Sequence, residues 1–366
     1  MNTSIKSLQL TRLFSTSPIV IHRSNMNLSS SIFSFLASYI VLFDNRFNSC
    51  ISRTIFSHLL TPVVKEADYY PSGTIYGSTG IPTQSVFEDC GFLNIIHSET
   101  NLVVYSNSGG MFRMERCTFY RVQTSAELST TVKVEPINYA FTRYNCFQSV
   151  QAYIISFCMG RFDSNTNYIS ISDFNIHDSK GSHSCLSQGK LGHHLTYSNS
   201  TSNPTGSGLW FGSGLIAGSI TKYHSVYNCS GLSAIGTNLN VETKFQYFNI
   251  INNHFSHGII FIMSSSSMRI LDWSIIKYRP ILYVSPGQTG TLIAERVSVD
   301  SSFNSVSLPL GFSIISNIQT LPIRNIDMDY CMNQTLIDKC TQNTCLFMLP
   351  SKITCYFLGF SFLIIA

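Results

Sequence analysis

The chain has 366 residues, 44% of them hydrophobic and 11% charged, with a formal net charge of +4. This length exceeds what one compact core usually holds, so it predicts two domains or a repeat array. The 26 Phe and 18 Tyr residues exclude a disordered chain, and the neutral balance beyond residue 60 argues against nucleic-acid binding.

Residues 1–60 form a basic N-terminal segment. The segment suits a cap, or early irregular coils of the repeat described below. It also has the composition of an organellar targeting segment, in which apolar residues would share one face of a helix. The sequence leaves these interpretations open. The basic residues are Lys6, Arg12, Arg23, Arg46 and Arg53, and the helical face would hold Ile5, Leu8, Leu13 and Phe14.

Ten short apolar segments recur along residues 61–340 at a spacing of roughly 26 residues. Segments such as Asp272-Trp273-Ser274-Ile275 alternate polar and apolar residues, which is typical of a strand with one buried face. Hairpin proteins repeat about every 8–12 residues, so the longer interval predicts an all-β fold, a right-handed parallel β-helix of about ten coils.

The repeat assigns one inward residue to each coil and a water-facing residue before it. The inward set is Cys90, Cys117, Cys146, Phe174, Leu195, Ser225, Phe248, Trp273, Val297 and Ile326. The water-facing set is Asp89, Arg116, Asn145, Asp173, His194, His224, Tyr247, Asp272, Arg296 and Asn325.

The 11 cysteines are odd in number, so at least one thiol is unpaired within the chain. We expect reduced thiols in the core for the inward column of Cys90, Cys117 and Cys146. The late cysteines are predicted to pair as disulfides in an oxidising compartment. They are Cys331, Cys340, Cys345 and Cys355.

Residues 341–366 form a cysteine-containing tail that ends in an apolar run. The run is shorter than the roughly 20 residues that a membrane-spanning helix needs. Three interpretations remain: a truncated membrane anchor, a removable lipid-anchor signal, and a last strand that covers the end of the solenoid. Two of them predict membrane attachment through this tail.

The segments Phe87–Phe92 and Met114–Phe119, the second preceded by Gly109-Gly110, carry a resemblance to a known class of proteins. They resemble the coils of right-handed parallel β-helix surface proteins of parasitic protozoa. They are also loosely similar to passenger domains of chlamydial polymorphic outer-membrane proteins. The resemblance covers residues 85–150 and implies surface exposure and an adhesion-like role. It implies no catalytic residues.

An enzyme is the alternative, because pectin lyases and polygalacturonases also use parallel β-helices. Such an enzyme needs carboxylates that converge from adjacent coils. The outward column offers two catalytic candidates, Asp173 beside His194 and Asp272 beside Arg296. For Asp272 and Arg296 a surface ion pair is the favoured interpretation.

His183, Cys185, His193 and His194 lie within twelve residues and are the candidates for a metal site. The glycines between them predict a loose loop rather than the tight turns of a zinc site, so we expect no metal and no cofactor.

The segment 198–214 is predicted to be a loop that carries Trp210 and Phe211. These rings would form a sugar-stacking platform or enter the core of the next coil. Together with His194 and Arg296 they are the ligand-binding candidates. We therefore predict a non-enzymatic protein at the cell surface or on a membrane that binds a surface glycan or protein. The alternatives are a polysaccharide lyase or glycoside hydrolase, and an organellar location directed by the basic segment.

Overall fold

The structure is a computed structural model, and every regular element among its described residues is a β-strand. The described residues are 2–11, 20–22, 25–34, 41–43, 49–59, 64–66, 84–97, 101–105, 111–124, 129–134, 139–159, 168–187, 192–211, 220–237, 243–262, 267–276, 282–284, 289–299 and 312–318.

The strands of the first half are β1 (Asn2–Lys6), β2 (Gln9–Thr11), β3 (Val20–His22), β4 (Asn25–Ser29), β5 (Ile32–Ser34), β6 (Val41–Phe43), β7 (Ser49–Ser52), β8 (Ile55–Ser57), β9 (Val64–Glu66), β10 (Gln84–Glu88), β11 (Gly91–His97), β12 (Asn101–Tyr105), β13 (Met111–Glu115), β14 (Thr118–Thr124), β15 (Thr130–Val134), β16 (Tyr139–Gln148) and β17 (Ile154–Met159). Those of the second half are β18 (Tyr168–His177), β19 (Gly181–Ser187), β20 (Gly192–Thr201), β21 (Pro204–Phe211), β22 (Ile220–Tyr227), β23 (Ser230–Thr237), β24 (Thr243–Ile251), β25 (His254–Ile262), β26 (Met268–Leu271), β27 (Ser274–Ile276), β28 (Leu282–Val284), β29 (Gly290–Val299) and β30 (Phe312–Ile318).

These strands form two parallel sheets, one of 19 strands and one of 11. In the first sheet Gln84 pairs with Met111, and Met111 pairs with Tyr139. The second sheet runs in sequence order from β3 to β28. The chain therefore returns to the same position once per coil, and the prediction of an all-β solenoid of stacked parallel coils is confirmed. The right-handed winding and the count of ten coils stay predictions.

The N-terminal segment contributes strands to the same sheets. Asn2 pairs with Asn25, and Cys50 pairs with Val86 on the first coil of the predicted repeat. Ile5 lies on β1, and both Ile5 and Leu8 pack against the core. The helical face proposed for these two residues is therefore wrong.

Most coils bend inside the first sheet at a residue with positive φ. Asp89 has a φ of 55°, between β10 and β11, and Arg116 has a φ of 52°, between β13 and β14. A left-handed residue turns the chain sharply but costs roughly 1–2 kcal/mol for a residue other than glycine. Hydrogen bonds between coils offset this cost, because the Asp89 amide donates to the Glu115 carbonyl at 3.0 Å.

Buried polar side chains next to these bends hold the coils in register. Asn145 accepts a hydrogen bond from the Cys117 amide at 3.0 Å and donates to the Met114 carbonyl at 3.1 Å. At a second bend of the same sheet, Asn253 accepts from the Cys229 amide and donates to the Val226 carbonyl. Each asparagine thus satisfies two backbone groups that would otherwise be buried without partners.

A ladder of phenylalanine rings fills the interior beneath the early coils. The rings of Phe92 and Phe119 are 4.5 Å apart at an angle of 2°, and those of Phe119 and Phe147 are 4.6 Å apart at 3°. Phe33 and Phe56 extend the ladder towards the N-terminus. All five side chains are fully buried. Parallel stacking places identical residues over one another, so the sequence repeat becomes a continuous core.

The inward column differs from the prediction at three positions. Cys146 pairs with Thr118, and Leu195 pairs with Ile171, so neither lies in the column of Cys117. Ser225 pairs with Asn199 and is also outside this column. The observed column continues from Cys90 and Cys117 through Asn145, Phe174, Ser198, His224, Phe248, Trp273 and Val297.

Asn145 and His224 were predicted to face water, yet both are fully buried. The assignment was wrong because Asn145 and His224 are polar residues in the interior. Taking them as surface residues shifts the inward assignment by one position, to Cys146 and Ser225. The assignments of Cys90, Cys117, Phe248, Trp273 and Val297 as buried residues are confirmed. Residues 319–366, including Asn325, Ile326, the four late cysteines and the tail 341–366, lie outside the described residues.

The core cysteines divide into free and paired thiols. Cys90 and Cys117 are buried and free, as expected. Cys146 is disulfide-bonded, so the expectation of a reduced thiol is wrong for it. Over the part of the chain that the structure describes, we find no helix with the length and apolarity needed to cross a membrane.

Candidate functional site

A groove of about 460 Å³ lies on the outer face of the first sheet, across its early coils. Its volume falls in the range of about 300–1,000 Å³ that is usual for small-molecule sites. Its lining is polar, with three basic and two acidic residues. We call it the N-terminal groove; it is lined by Lys6, Asn27, Ser29, Ser30, Cys50, Ser52, Arg53, Glu88, Asp89 and Arg116.

Two neighbouring columns of the first sheet supply most of this lining. Along the first column, Lys6 pairs with Ser29, Ser29 with Ser52, and Ser52 with Glu88. The second column occupies the adjacent bend, where Ser30, Arg53, Asp89 and Arg116 have positive φ. Successive coils are about 4.8 Å apart, so the groove presents one pair of side chains per coil.

Arg116 binds the acidic side chains at one end of the groove. Its Nε donates to Asp89 Oδ1 at 2.6 Å, and its Nη2 donates to Glu88. Its Nη1 lies 3.4 Å from Glu115 Oε2, and Arg113 donates to the same oxygen at 2.8 Å. The hydrogen bond that Arg116 donates to Asp89, followed by the one that it donates to Glu88, raises the pKa of Arg116 further above its ordinary value. The carboxylates at this end are therefore held in place by a permanent cation.

Lys6 and Arg53 lie towards the other end of the groove. Both are exposed, and neither forms an ion pair with any described residue. Arg53 precedes Asp89 in the bend column, but Arg116 binds Asp89 from the following coil. Among the described residues, the groove thus has two cations without an ion-pair partner towards one end and two paired carboxylates at the other.

Cys50 contributes a free, half-buried thiol to the floor of the groove. Burial, together with the negative charge of Glu88, raises the pKa of this thiol. A neutral thiol is a poor nucleophile, which disfavours Cys50 as a nucleophilic catalyst.

The predicted ion pair between Asp272 and Arg296 is confirmed. Arg296 Nε and Nη2 donate to the two carboxylate oxygens of Asp272 at 2.6 and 2.9 Å. Gln246 Nε2 approaches Asp272 Oδ2 at 3.3 Å. This carboxylate is occupied by its neighbours in the adjacent coils, which disfavours Asp272 as a catalytic residue and Arg296 as a ligand-binding residue.

Asp173 does not lie beside His194. The register pairs His194 with Ser170. It places Asp173 level with Tyr144 on the preceding coil and with Tyr197 on the following coil. Asp173 and Asp272 share the bend column but are four coils apart, or about 19 Å at 4.8 Å per coil. The two catalytic candidates therefore do not form a carboxylate pair of the kind that a glycosidase uses.

Trp210 and Phe211 lie on β21, and the predicted loop 198–214 is largely occupied by β20 and β21. Trp210 pairs with Leu186 and Gly236, and Phe211 pairs with Ser187 and Thr237. These residues are therefore part of the second sheet. The loop prediction failed because its Ser, Gly and Pro residues pair as a regular strand.

The four metal candidates are divided between the two sheets. His183 and Cys185 lie on β19 of the second sheet, whereas His193 and His194 lie on β20 of the first sheet. Within the described ranges, no group of three or more His, Cys, Asp or Glu side chains has the geometry to hold a metal ion.

The bend column carries stacked tyrosines in the later coils. The rings of Tyr223 and Tyr247 lie 4.8 Å apart at an angle of 12°. Each ring thus covers a face of the other. Stacking of this kind stabilises the column.

No family model, no curated protein and no solved structure matches this chain. The functional argument therefore depends on the geometry of the molecule itself.

Sequence reasoning missed the N-terminal groove because it treated residues 1–60 as a unit apart from the repeat. One signal was available: the early coils repeat with a step of 23 residues, as between Leu8 and Ser31. Applied to Lys6, this step leads to Ser29 and Ser52, and from Arg53 it leads back to Ser30. It would have aligned the two cations and the serines between them on one face.

Proposed function

We propose that this protein is a non-enzymatic surface protein that binds a glycan or protein partner through the outer face of its first sheet. The finer description is a right-handed, pectin lyase-like β-helix of about ten coils with an adhesion-like role. In this proposal the protein works at the cell surface or attached to a membrane. The N-terminal groove is the binding site.

One observation carries the proposal: the groove joins serine hydroxyls, fixed carboxylates and two cations that pair with no described acidic residue, all on one rigid surface. Polyhydroxylated or peptide ligands need both donors and acceptors, and this lining offers both. The stacked sheet positions these groups before a ligand arrives, which lowers the entropic cost of binding.

An enzyme of the lyase or glycoside hydrolase class is the second candidate, because Glu88 and Asp89 lie together in the groove. A glycosidase needs one of its carboxyl groups to donate a proton. Here both groups accept hydrogen bonds from the single guanidinium of Arg116. This arrangement favours binding over catalysis.

The test is binding of the full chain to a glycan and cell-surface protein array, run beside a lyase and hydrolase panel. Ser29→Trp fills the groove. Thr291→Trp is the control, because it places a tryptophan on the outer face of β29. We expect binding by the wild type and by Thr291→Trp, loss of binding by Ser29→Trp, and no turnover. Binding that survives Ser29→Trp contradicts the assignment of the site. Turnover that Glu88→Gln abolishes supports the enzyme instead.

A further inference from the structure

The N-terminal groove is asymmetric in charge along the coil axis. Lys6 lies on the first coil, Arg53 two coils later, and Glu88 and Asp89 one coil beyond Arg53. Ser29 and Ser30 lie on the coil between the two cations, and Ser52 precedes Arg53 on its coil. At about 4.8 Å per coil, the cations are spaced about 10 Å apart along the axis.

The backbone amides at the bend of these coils already have partners. The amides of Ser7, Ser30 and Arg53 donate to the carbonyls of Ser29, Ser52 and Glu88, respectively, in the next coil. A ligand in the groove therefore meets side chains rather than backbone amides. The donors that face it are the Lys6 ammonium, the Arg53 guanidinium and the serine hydroxyls.

From this arrangement we propose that the groove recognises an oligosaccharide carrying a single anionic group, with that group held between Lys6 and Arg53. The inference rests on the proposed function and specifies its ligand class. A carboxylate or sulfate between the two cations gains charge-assisted hydrogen bonds. The neutral hydroxyls of the next sugar bind Glu88 and Asp89, which accept hydrogen bonds.

Glu88 and Asp89 set the specificity. They face the position that a second anionic group of a polyanion would occupy, one coil from Arg53. Arg116 binds both carboxylates and holds them there. A chain with an acidic group on every sugar meets like charge at this position, which disfavours it relative to a chain with one acidic group.

The experiment compares four trisaccharides of one parent structure by calorimetry with the full chain. One is neutral, one carries a terminal uronate, one carries a sulfate at the same sugar, and one carries uronates on two adjacent sugars. We expect both mono-anionic forms to bind at least about tenfold tighter than the neutral form, which matches roughly 1.4 kcal/mol. Added salt reduces this preference. The dianionic form gains no further affinity.

The variants separate the two cations from general surface charge. Arg53→Gln and Lys6→Gln each reduce the preference for the mono-anionic trisaccharides, and the double variant abolishes it. Lys244→Gln removes an exposed positive charge on β24, far from the groove, and leaves the preference unchanged. Asp89→Asn raises the affinity for the dianionic form, and asparagine tolerates the positive φ at this position.

Alkylation of Cys50 at mildly alkaline pH, where its thiolate is more populated, gives an independent readout because this thiol lines the groove; peptide mass spectrometry distinguishes it from the other free cysteines. The mono-anionic trisaccharide slows its labelling by iodoacetamide in the wild type and not in the double variant. Equal affinity for neutral and anionic forms, unchanged by Arg53→Gln, overturns this inference and leaves the proposed function standing. Failure of every trisaccharide to bind contradicts the inference, whereas protein binding that Ser29→Trp abolishes still supports the proposed function.

Discussion

The early and the later coils share one backbone plan but use their outer faces differently. In the early coils Lys6 and Arg53 form no ion pair within the described part of the chain, while Glu88 and Asp89 are fixed by Arg116. In the later coils the bend column is closed by its own contacts, between the stacked tyrosine rings and between Asp272 and Arg296. A solenoid can thus concentrate recognition in one region and use the same columns for stability elsewhere.

The interiors of the two regions also differ. The early coils stack phenylalanine rings, whereas the corresponding later column contains Val226, Ile250 and Ile275. Phe119→Ala removes the ring between Phe92 and Phe147, and we expect it to lower the free energy of unfolding by about 3–5 kcal/mol. Urea denaturation followed by circular dichroism measures this change. Ile250→Val, which removes one methyl group in the later column, is the small-truncation reference, with an expected loss of about 0.5–1.5 kcal/mol. Equal losses would contradict the role of the ladder.

A smaller effect is expected at the buried asparagines. Asn253→Leu leaves the Cys229 amide and the Val226 carbonyl without partners, which costs about 2–4 kcal/mol. Asn252→Asp changes the adjacent exposed residue and keeps a side chain that tolerates positive φ. It shifts stability by no more than about 0.5 kcal/mol. The same denaturation series compares the two variants, and a neutral Asn253→Leu would show that the asparagine does not support the coils.

The interior residues and the groove residues also show what can be predicted from the sequence and what cannot. Alternation predicts Trp273 and Val297 correctly because both are apolar and buried. It fails near Asn145 and His224, since the sequence alone does not distinguish a buried polar residue, with backbone or ring partners, from a surface residue. The groove is hidden for another reason: Lys6 and Arg53 are 47 residues apart in the sequence and share one groove only because the coils stack, and residues 1–60 do not follow the 26-residue spacing.

The buried thiols predict a pH dependence. Burial raises the pKa of Cys117 well above its unfolded value of about 9.0, so the folded chain keeps a proton that the unfolded chain releases. The stability from this group is fully present below pH 9 and declines above it, by at most about 1.4 kcal/mol per pH unit. Urea denaturation between pH 8 and 10 measures the decline, and Cys117→Val reduces it. A decline of the same size in Cys117→Val would contradict this cause.

The smallest expected effect separates the two surface arginines. Arg116 contacts Glu88, Asp89 and Glu115, whereas Arg296 pairs with one acidic residue of the described ranges, Asp272. Arg116→Gln therefore lowers the thermal unfolding midpoint more than Arg296→Gln, which leaves it nearly unchanged because exposed pairs contribute little. Differential scanning calorimetry of the two variants makes the comparison. A larger loss for Arg296→Gln would contradict the difference drawn between the regions.

The stacking of one coil upon the next is tested most directly by distances between encoded spin labels in the second bend column. His58, Arg121 and Asn252 occupy this column. Double electron–electron resonance should give about 24 Å for the pair at 121 and 252, and about 34 Å for the pair at 58 and 252, at 4.8 Å per coil. Distances that do not increase with the number of intervening coils would contradict the parallel solenoid and the groove built on it.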